Sequence, residues 1–185
     1  MGKIRRVSVF GSGTIREGSP VYRQAVKLGL ALARAGFSVY HGGYGGVMEA
    51  VAKGCRAAGG TNTGITVEAR KMPGFKSYPG RALTRVNQWA DAEIRMPSWE
   101  GRLLKLIETG EAYVFLDGAT GTLNELFLVW EMANRKLHTK PVLLLGKRLQ
   151  KLVKFLKKDP ALKIPESFYL VSSVDQTIKL LGAGR

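Results

Sequence analysis

Phe37-Ser38-Val39-Tyr40-His41-Gly42-Gly43-Tyr44-Gly45-Gly46-Val47-Met48-Glu49-Ala50 is the stretch that decides the fold. Phe37 to Tyr40 reads as a short buried strand, and the spacing beyond Gly46 predicts a helix from about Val47 to Ala58. Four glycines in five positions join the two. They remove side chains where a strand becomes a helix, so backbone N–H groups can approach an anion at the positive end of that helix. A strand, a glycine turn and a helix in this order make up most of a βαβ unit.

The same order recurs on both sides. Upstream, Val7-Ser8-Val9-Phe10 reads as the first strand and Gly11-Ser12-Gly13 as its turn. Ser19-Pro20 then opens a helix, because Ser is a good N-cap and Pro suits the first helical position. Val21, Ala25, Leu28, Leu32 and Ala35 fall on one face of it, and Gly36 ends it. Downstream, Gly64-Ile65-Thr66-Val67 is a third strand. The pattern weakens from Glu68 to Pro97, where Pro73, Gly74, Pro79 and Gly80 interrupt it, although Ala92 to Met96 reads as a short strand. A loop this long is expected to serve as a lid or binding loop.

Regular alternation then resumes. A helix is predicted from about Trp99 to Gly110, a strand over Ala112 to Leu116, and a turn from Asp117 to Gly121. A helix from Thr122 to about Lys136 follows, then the strand Pro141 to Leu145 and a basic helix. Phe168 to Val171 and a last helix complete the pattern. Short apolar strands separated by helices predict a single domain over residues 1–185, an open, mostly parallel Rossmann-like α/β sheet with helices on both faces. In such sheets ligands bind beyond the carboxyl ends of the strands at a topological switch point. The three glycine turns are expected to converge there.

Composition narrows the class. Of 185 residues, 45% are hydrophobic, enough for a sizeable core, and no apolar run is long enough for a membrane span. The N-terminus enters a strand too early for a signal peptide, and Arg6 breaks the myristoylation pattern after Gly2. A single cysteine, Cys55, excludes an internal disulfide and suits a reducing compartment, so the expected location is the cytoplasm. The formal net charge is +15. Such a surface attracts nucleotides, nucleic acids and anionic lipids without identifying a partner. The densest cluster, from Lys147-Arg148 to Lys158, looks like the solvated face of a helix.

The turns exclude the two commonest phosphate loops. Thr14, Ile15 and Arg16 follow Gly13, so the third glycine of a dinucleotide fingerprint is missing. Ser19-Pro20 after Gly18 removes the Walker lysine. The expected ligand-binding set is Gly11, Ser12, Gly42, Gly43, Gly45, Gly46, Val47 and Met48, together with Gly118, Thr120, Gly121 and Thr122. Thr122 can cap the helix that it opens or give its hydroxyl to a phosphate. Glu125 stands three residues later, which also satisfies a capping box. Asp117 would oppose a bound anion unless it is paired. Two histidines and one cysteine form no metal-binding spacing, so neither a metal nor a cofactor is expected. His41 ends a strand beside the turns, and a satisfied strand-end histidine is the expected reading.

Two motifs together resemble the lysine-decarboxylase-like proteins of the LOG family, cytokinin-activating phosphoribohydrolases and their bacterial relatives. One runs from Tyr40 through Ala50. The other, Asp117-Gly118-Ala119-Thr120-Gly121-Thr122-Leu123-Asn124-Glu125, is similar to the family's P-G-G-x-G-T-x-x-E signature. Val9-Phe10-Gly11-Ser12-Gly13 looks like the first strand and turn, and the resemblance runs from about Val7 to Leu145. It implies hydrolysis of the N-glycosidic bond of a nucleoside 5′-monophosphate, with Glu125 and Arg102 as catalytic residues. The chain departs from the pattern at Asp117 for proline, Ala119 for glycine and Leu103 for lysine. Ala119 adds a methyl where the backbone is expected to approach phosphate and to need a positive φ.

Three functions compete. The first is the phosphoribohydrolase. The second is a carrier without turnover, because molybdenum-cofactor carrier proteins share this fold and similar loops. The third, ranked last, is a nucleic-acid-binding module suggested by the charge; no recognition signature accompanies it. The helix bearing Leu126, Phe127, Trp130 and Met132 is apolar around more than one narrow stripe, which points to a homodimer or higher homo-oligomer. A site at the strand ends lies outside the core, so substitutions at Glu125 and Arg102 are expected to leave the chain folded.

Overall fold

The architecture comes from a computed structural model that describes residues 4–68 and 85–182. Pro73, Gly74, Pro79 and Gly80, and most of the expected lid loop, lie outside the described residues. Helix α1 (Pro20–Arg34) begins as its sequence dictates: the Ser19 side chain accepts the Tyr22 N–H at 3.2 Å, and Pro20 occupies the first turn. It ends at Ala35, and Gly36 follows with φ +78°. That conformation lets Phe37 N–H reach the Leu32 carbonyl at 3.0 Å and turns the chain into β2 (Ser38–His41).

The remaining elements are β1 (Arg6–Phe10), α2 (Val47–Ala57), β3 (Asn62–Val67), β4 (Ala92–Met96) and α3 (Trp99–Thr109). After them come β5 (Ala112–Phe115), α4 (Thr120–Asn134), β6 (Val142–Leu144), α5 (Lys147–Leu156), β7 (Phe168–Leu170) and α6 (Val174–Gly182). All seven strands pair in parallel, in the order β4-β3-β2-β1-β5-β6-β7. The Ala92–Met96 stretch is therefore a true strand at one edge.

Alternate residues of the strands feed two cores. Val7, Val9, Val39 and Val114 pack under α1, α2 and α6. Phe10, Tyr113, Phe115 and Leu144 pack under α3, α4 and α5. Both sheet faces are covered, which is why the strands read as near-continuous apolar runs. From β1 the chain builds outward to β4, then returns to build β5, β6 and β7 on the other side. The switch point lies between β1 and β5.

One boundary differs from the sequence reading. Helix α4 starts at Thr120 with Ala119 as its N-cap, two residues before the expected start. Thr122 is then the third helical residue and Glu125 the sixth, so they form no capping box. Ala119 has φ −97°, an ordinary conformation for an L-residue, and the expected need for a positive φ does not arise.

Candidate active site

Ser12 joins the three turns. Its N–H donates to the Asp117 carbonyl at 3.1 Å, and its carbonyl accepts the Val47 N–H at 2.8 Å. The turns after β1, β2 and β5 therefore meet at the switch point and bound a cavity of about 810 Å³. Among the expected residues, Gly11, Ser12, Gly45, Met48, Arg102, Thr120, Gly121, Thr122 and Glu125 line it. Gly42, Gly43, Gly46, Val47 and Gly118 do not.

Those others serve loop packing. A Cβ on Gly42 would land on the Arg102 guanidinium, and one on Gly118 would land on the Thr122 side chain. Val47 is fully buried and its N–H is spent on Ser12. At these positions the glycines let protein groups close on one another rather than leave bare space for an anion. Gly118→Ala is thus expected to destabilise the fold by about 1–3 kcal/mol. Ala119→Gly, at an exposed N-cap with negative φ, is expected to stay within about 0.5 kcal/mol of wild type. Chemical denaturation of the two variants checks the contrast.

The start of α4 faces the cavity without a side-chain cap. The N–H groups of Thr120, Gly121 and Thr122 have no acceptor among the described residues. A helix leaves its first N–H groups unpaired, and its dipole adds positive potential at that end.

Arg102 is 4% exposed. Its Nε donates to the Ile65 carbonyl and its Nη2 to the Gly42 carbonyl, both at 2.9 Å. The Trp99 and Tyr44 rings lie 4.9 and 5.3 Å from its Cζ. The guanidinium is thus held on two edges, and Nη1 is left without a hydrogen-bond partner among the described residues. Burial lowers its pKa, and the nearby Glu125 charge opposes that shift.

Glu125 forms no hydrogen bond or ion pair among the described residues. It is partly buried and lines the cavity. Desolvation pushes its pKa up to about 7, against a lowering by Arg102. A carboxyl poised near neutrality, beside a cation and unpaired N–H donors, suits acid–base or charge-stabilising work.

His41 is a satisfied strand-end histidine. Its Nδ1 accepts the Gly43 N–H at 3.1 Å and its Nε2 pairs with Asn62 Oδ1 at 2.9 Å. Asn62 in turn donates to Asp91 at 2.7 Å. Burial drives the imidazole pKa down to about 4, so it stays neutral while it braces the glycine turn.

The three departures from the family pattern are accounted for. Asp117 Oδ1 accepts the Leu149 N–H at 3.1 Å and so caps α5, which has no side-chain cap of its own. It lines a different groove, so it does not oppose an anion in this cavity. Ala119 fits its backbone, and Leu103 packs against the second core. Sequence reasoning missed Trp99, Tyr44, Asn87 and Arg85. Trp99 carried a signal, since it precedes Arg102 by one helical turn. Asn87, whose Nδ2 donates to the carbonyls of Gly43 and Tyr44 at 3.2 Å, carried none.

The sequence profile of the SLOG cluster4 family matches residues 4–174, and the chain belongs to that family. A protein of Archaeoglobus fulgidus is 28% identical over 139 residues, covering 75% of this chain and 82% of its own. The cytokinin riboside 5′-monophosphate phosphoribohydrolase of Mycobacterium tuberculosis is 29% identical over 121 residues. That match covers 65% of this chain, which spans 59% of the mycobacterial protein. The solved molybdenum cofactor carrier protein of Chlamydomonas reinhardtii superposes with TM-score 0.70 at 23% identity, covering 97% of this chain and 99% of its own. That likeness establishes the Rossmann-like fold. Among the described residues, no helix is long and apolar enough to cross a membrane.

Proposed function

We propose that the protein hydrolyses the N-glycosidic bond of a nucleoside 5′-monophosphate, giving free base and ribose 5-phosphate. The observation that carries this reading is Glu125, a carboxyl without a hydrogen-bond partner among the described residues, which lines the cavity with Arg102 and the start of α4. The 5′-phosphate sits on the N–H groups of Thr120, Gly121 and Thr122, with Ser12 beside it. Breaking the C1′–N bond builds positive charge on the ribose, as in glycosidase transition states. The Glu125 carboxylate offsets that charge or takes a proton from the attacking water. The water oxygen bonds to C1′, the C1′–N electron pair leaves with the base, and a proton ends on the base nitrogen. Arg102 holds its guanidinium rigidly within the same cavity.

Incubation with a panel of nucleoside monophosphates, scored for ribose 5-phosphate, tests the reaction. Calorimetry tests the phosphate cradle: AMP is expected to bind at least about tenfold more tightly than adenosine. Equal affinities would remove the cradle. A carrier of a phosphate-bearing pterin remains the second reading, favoured by the same cavity, whose volume admits a fused ring. Binding without release of any base from the panel would select it.

The family resemblance also implies a homodimer, and two exposed side chains support one. Leu104 on α3 and Phe127 on α4 are 46% and 44% exposed, on the helices that cover the second core. Light scattering at tens of micromolar is expected to give twice the chain mass; the mass of a single chain would count against it.

A further inference from the structure

A second groove, of about 1150 Å³, runs between α1 and α6 and reaches the start of α5. Arg23, Lys27, Arg34, Lys147 and Lys179 stand along it. Arg23 contacts the Gly18 carbonyl. The other four form no ion pair or side-chain hydrogen bond among the described residues. Two carboxylates line the same groove. Asp117 is engaged in capping α5, and Asp175 sits in the first turn of α6, where the helix dipole already draws a negative charge. Elsewhere acids are spent on bases: Glu17 pairs with Lys53, Glu93 with Arg95, Glu111 with Arg6 and Glu131 with Arg135. Part of the excess charge of the chain therefore faces one groove without ion-pair partners among the described residues.

The arrangement selects the kind of anion. On α1, Lys27 follows Arg23 by about 6 Å and Arg34 by about 16 Å along the axis, from the helical rise. Lys179 and Lys147 stand on α6 and at the start of α5. The bases thus form a track rather than a point. A bilayer surface cannot follow the floor of a groove between two helices, whereas a flexible strand can lie in it. Between the bases the floor is apolar, with Val21 and Leu30 on α1 and Val174 and Ile178 on α6. Sugars and bases cover such a floor; an inorganic polyphosphate has nothing to place there. No aromatic side chain lines the groove among the described residues, so base stacking, the usual source of tight single-strand binding, is absent.

We propose that the α1–α6 groove binds single-stranded nucleic acid through its phosphates, weakly and without sequence selectivity, at a site separate from the glycine-loop cavity. The test is fluorescence anisotropy with a labelled oligothymidylate of about 15 nucleotides. With four unpartnered cations engaged, log K is expected to fall with log salt at a slope of about −3 between about 50 and 200 mM. Lys27→Glu/Lys179→Glu is expected to cut affinity at least about tenfold and to bring the slope near −1.5. Lys151→Glu/Lys154→Glu, the same charge change on the outer face of α5, is the control and is expected to have a much smaller effect. Both pairs are surface lysines, so melting temperatures are expected to match wild type, and Lys27→Gln/Lys179→Gln gives an intermediate loss without charge reversal. Equal losses from the two Glu pairs would overturn the groove and leave only net charge. No binding at the lowest salt, or polyphosphate and duplex DNA binding as well as the single strand, would overturn the proposed ligand.

Discussion

Glu125→Gln is expected to lower base release by about 10²–10⁴-fold while nucleotide binding changes only a few-fold. The amide keeps the size of the side chain but cannot carry the charge that offsets an oxocarbenium ion or take a proton from water. A capping role does not compete for this position, because α4 begins at Thr120. In the proposed mechanism the active form is the carboxylate, and desolvation pushes its pKa up to about 7. The pH profile of kcat/KM should therefore rise through about 7 and level above it. Hydrolysis that survives the substitution unchanged would remove Glu125 from the mechanism.

The same substitution is expected to stabilise the protein. The folded pKa of about 7 lies above the ordinary 4.5, so the native state holds the proton more tightly between those values. Stability from this group is present below about 4.5 and is lost as pH rises through about 7. That gap is worth about 2–3 kcal/mol at neutral pH. Gln has no charge to desolvate, so the variant is expected to melt about 5–10 °C higher at pH 8 and with a flatter pH dependence. A gain in stability with a loss of turnover marks a residue whose burial serves chemistry.

Arg102→Ala is expected to act in the opposite way on stability. Arg102 donates to Ile65 and Gly42, lies against the Trp99 and Tyr44 rings, and supplies a positive charge that acts on Glu125. Its loss leaves two carbonyls without their donors and a carboxyl without its countercharge, a cost of about 3–5 kcal/mol. The melting temperature should fall by about 6–20 °C. The variant is still expected to fold, but with a measurable loss, because the side chain is part of the packing that shapes the turns. Arg102→Lys separates the two roles: the charge stays, so Glu125 should still titrate near 7, but a single ammonium cannot hold both carbonyls in a planar fork. In Arg102→Ala, removal of the cation should move the rising limb of the residual pH profile upward. An unchanged limb together with wild-type stability would show that Arg102 neither braces the turns nor tunes the carboxyl.

Local signals were legible wherever a few neighbouring residues settle the outcome. Ser19-Pro20 opens α1 and Gly36 closes it, because caps and left-handed turns depend on near neighbours alone. The strands were legible as apolar runs because both faces of a parallel sheet are buried. The meeting of the glycine turns followed from the topology rule for open sheets, and the cavity lies at the β1–β5 switch point. The start of α4 was not legible. Thr122 followed by Glu125 imitates a capping box, whereas the helix starts two residues earlier, beside the close approach of Gly118 to Ser12 and Thr122.

Sequence by itself determined the strand–helix alternation of a mostly parallel α/β fold and the family motifs that carry Glu125, since each depends on periodicity or on residues close along the chain. Tertiary structure alone decided what those residues do to one another. It spent several glycines on loop packing, turned Asp117 to cap α5, set the Arg102 guanidinium against two rings, placed Glu125 beside it in the cavity and aligned several bases along one groove. Desolvation, Coulomb attraction and steric exclusion act between groups brought near in space, and Arg102 meets Gly42 across a gap of sixty positions that no local pattern spans.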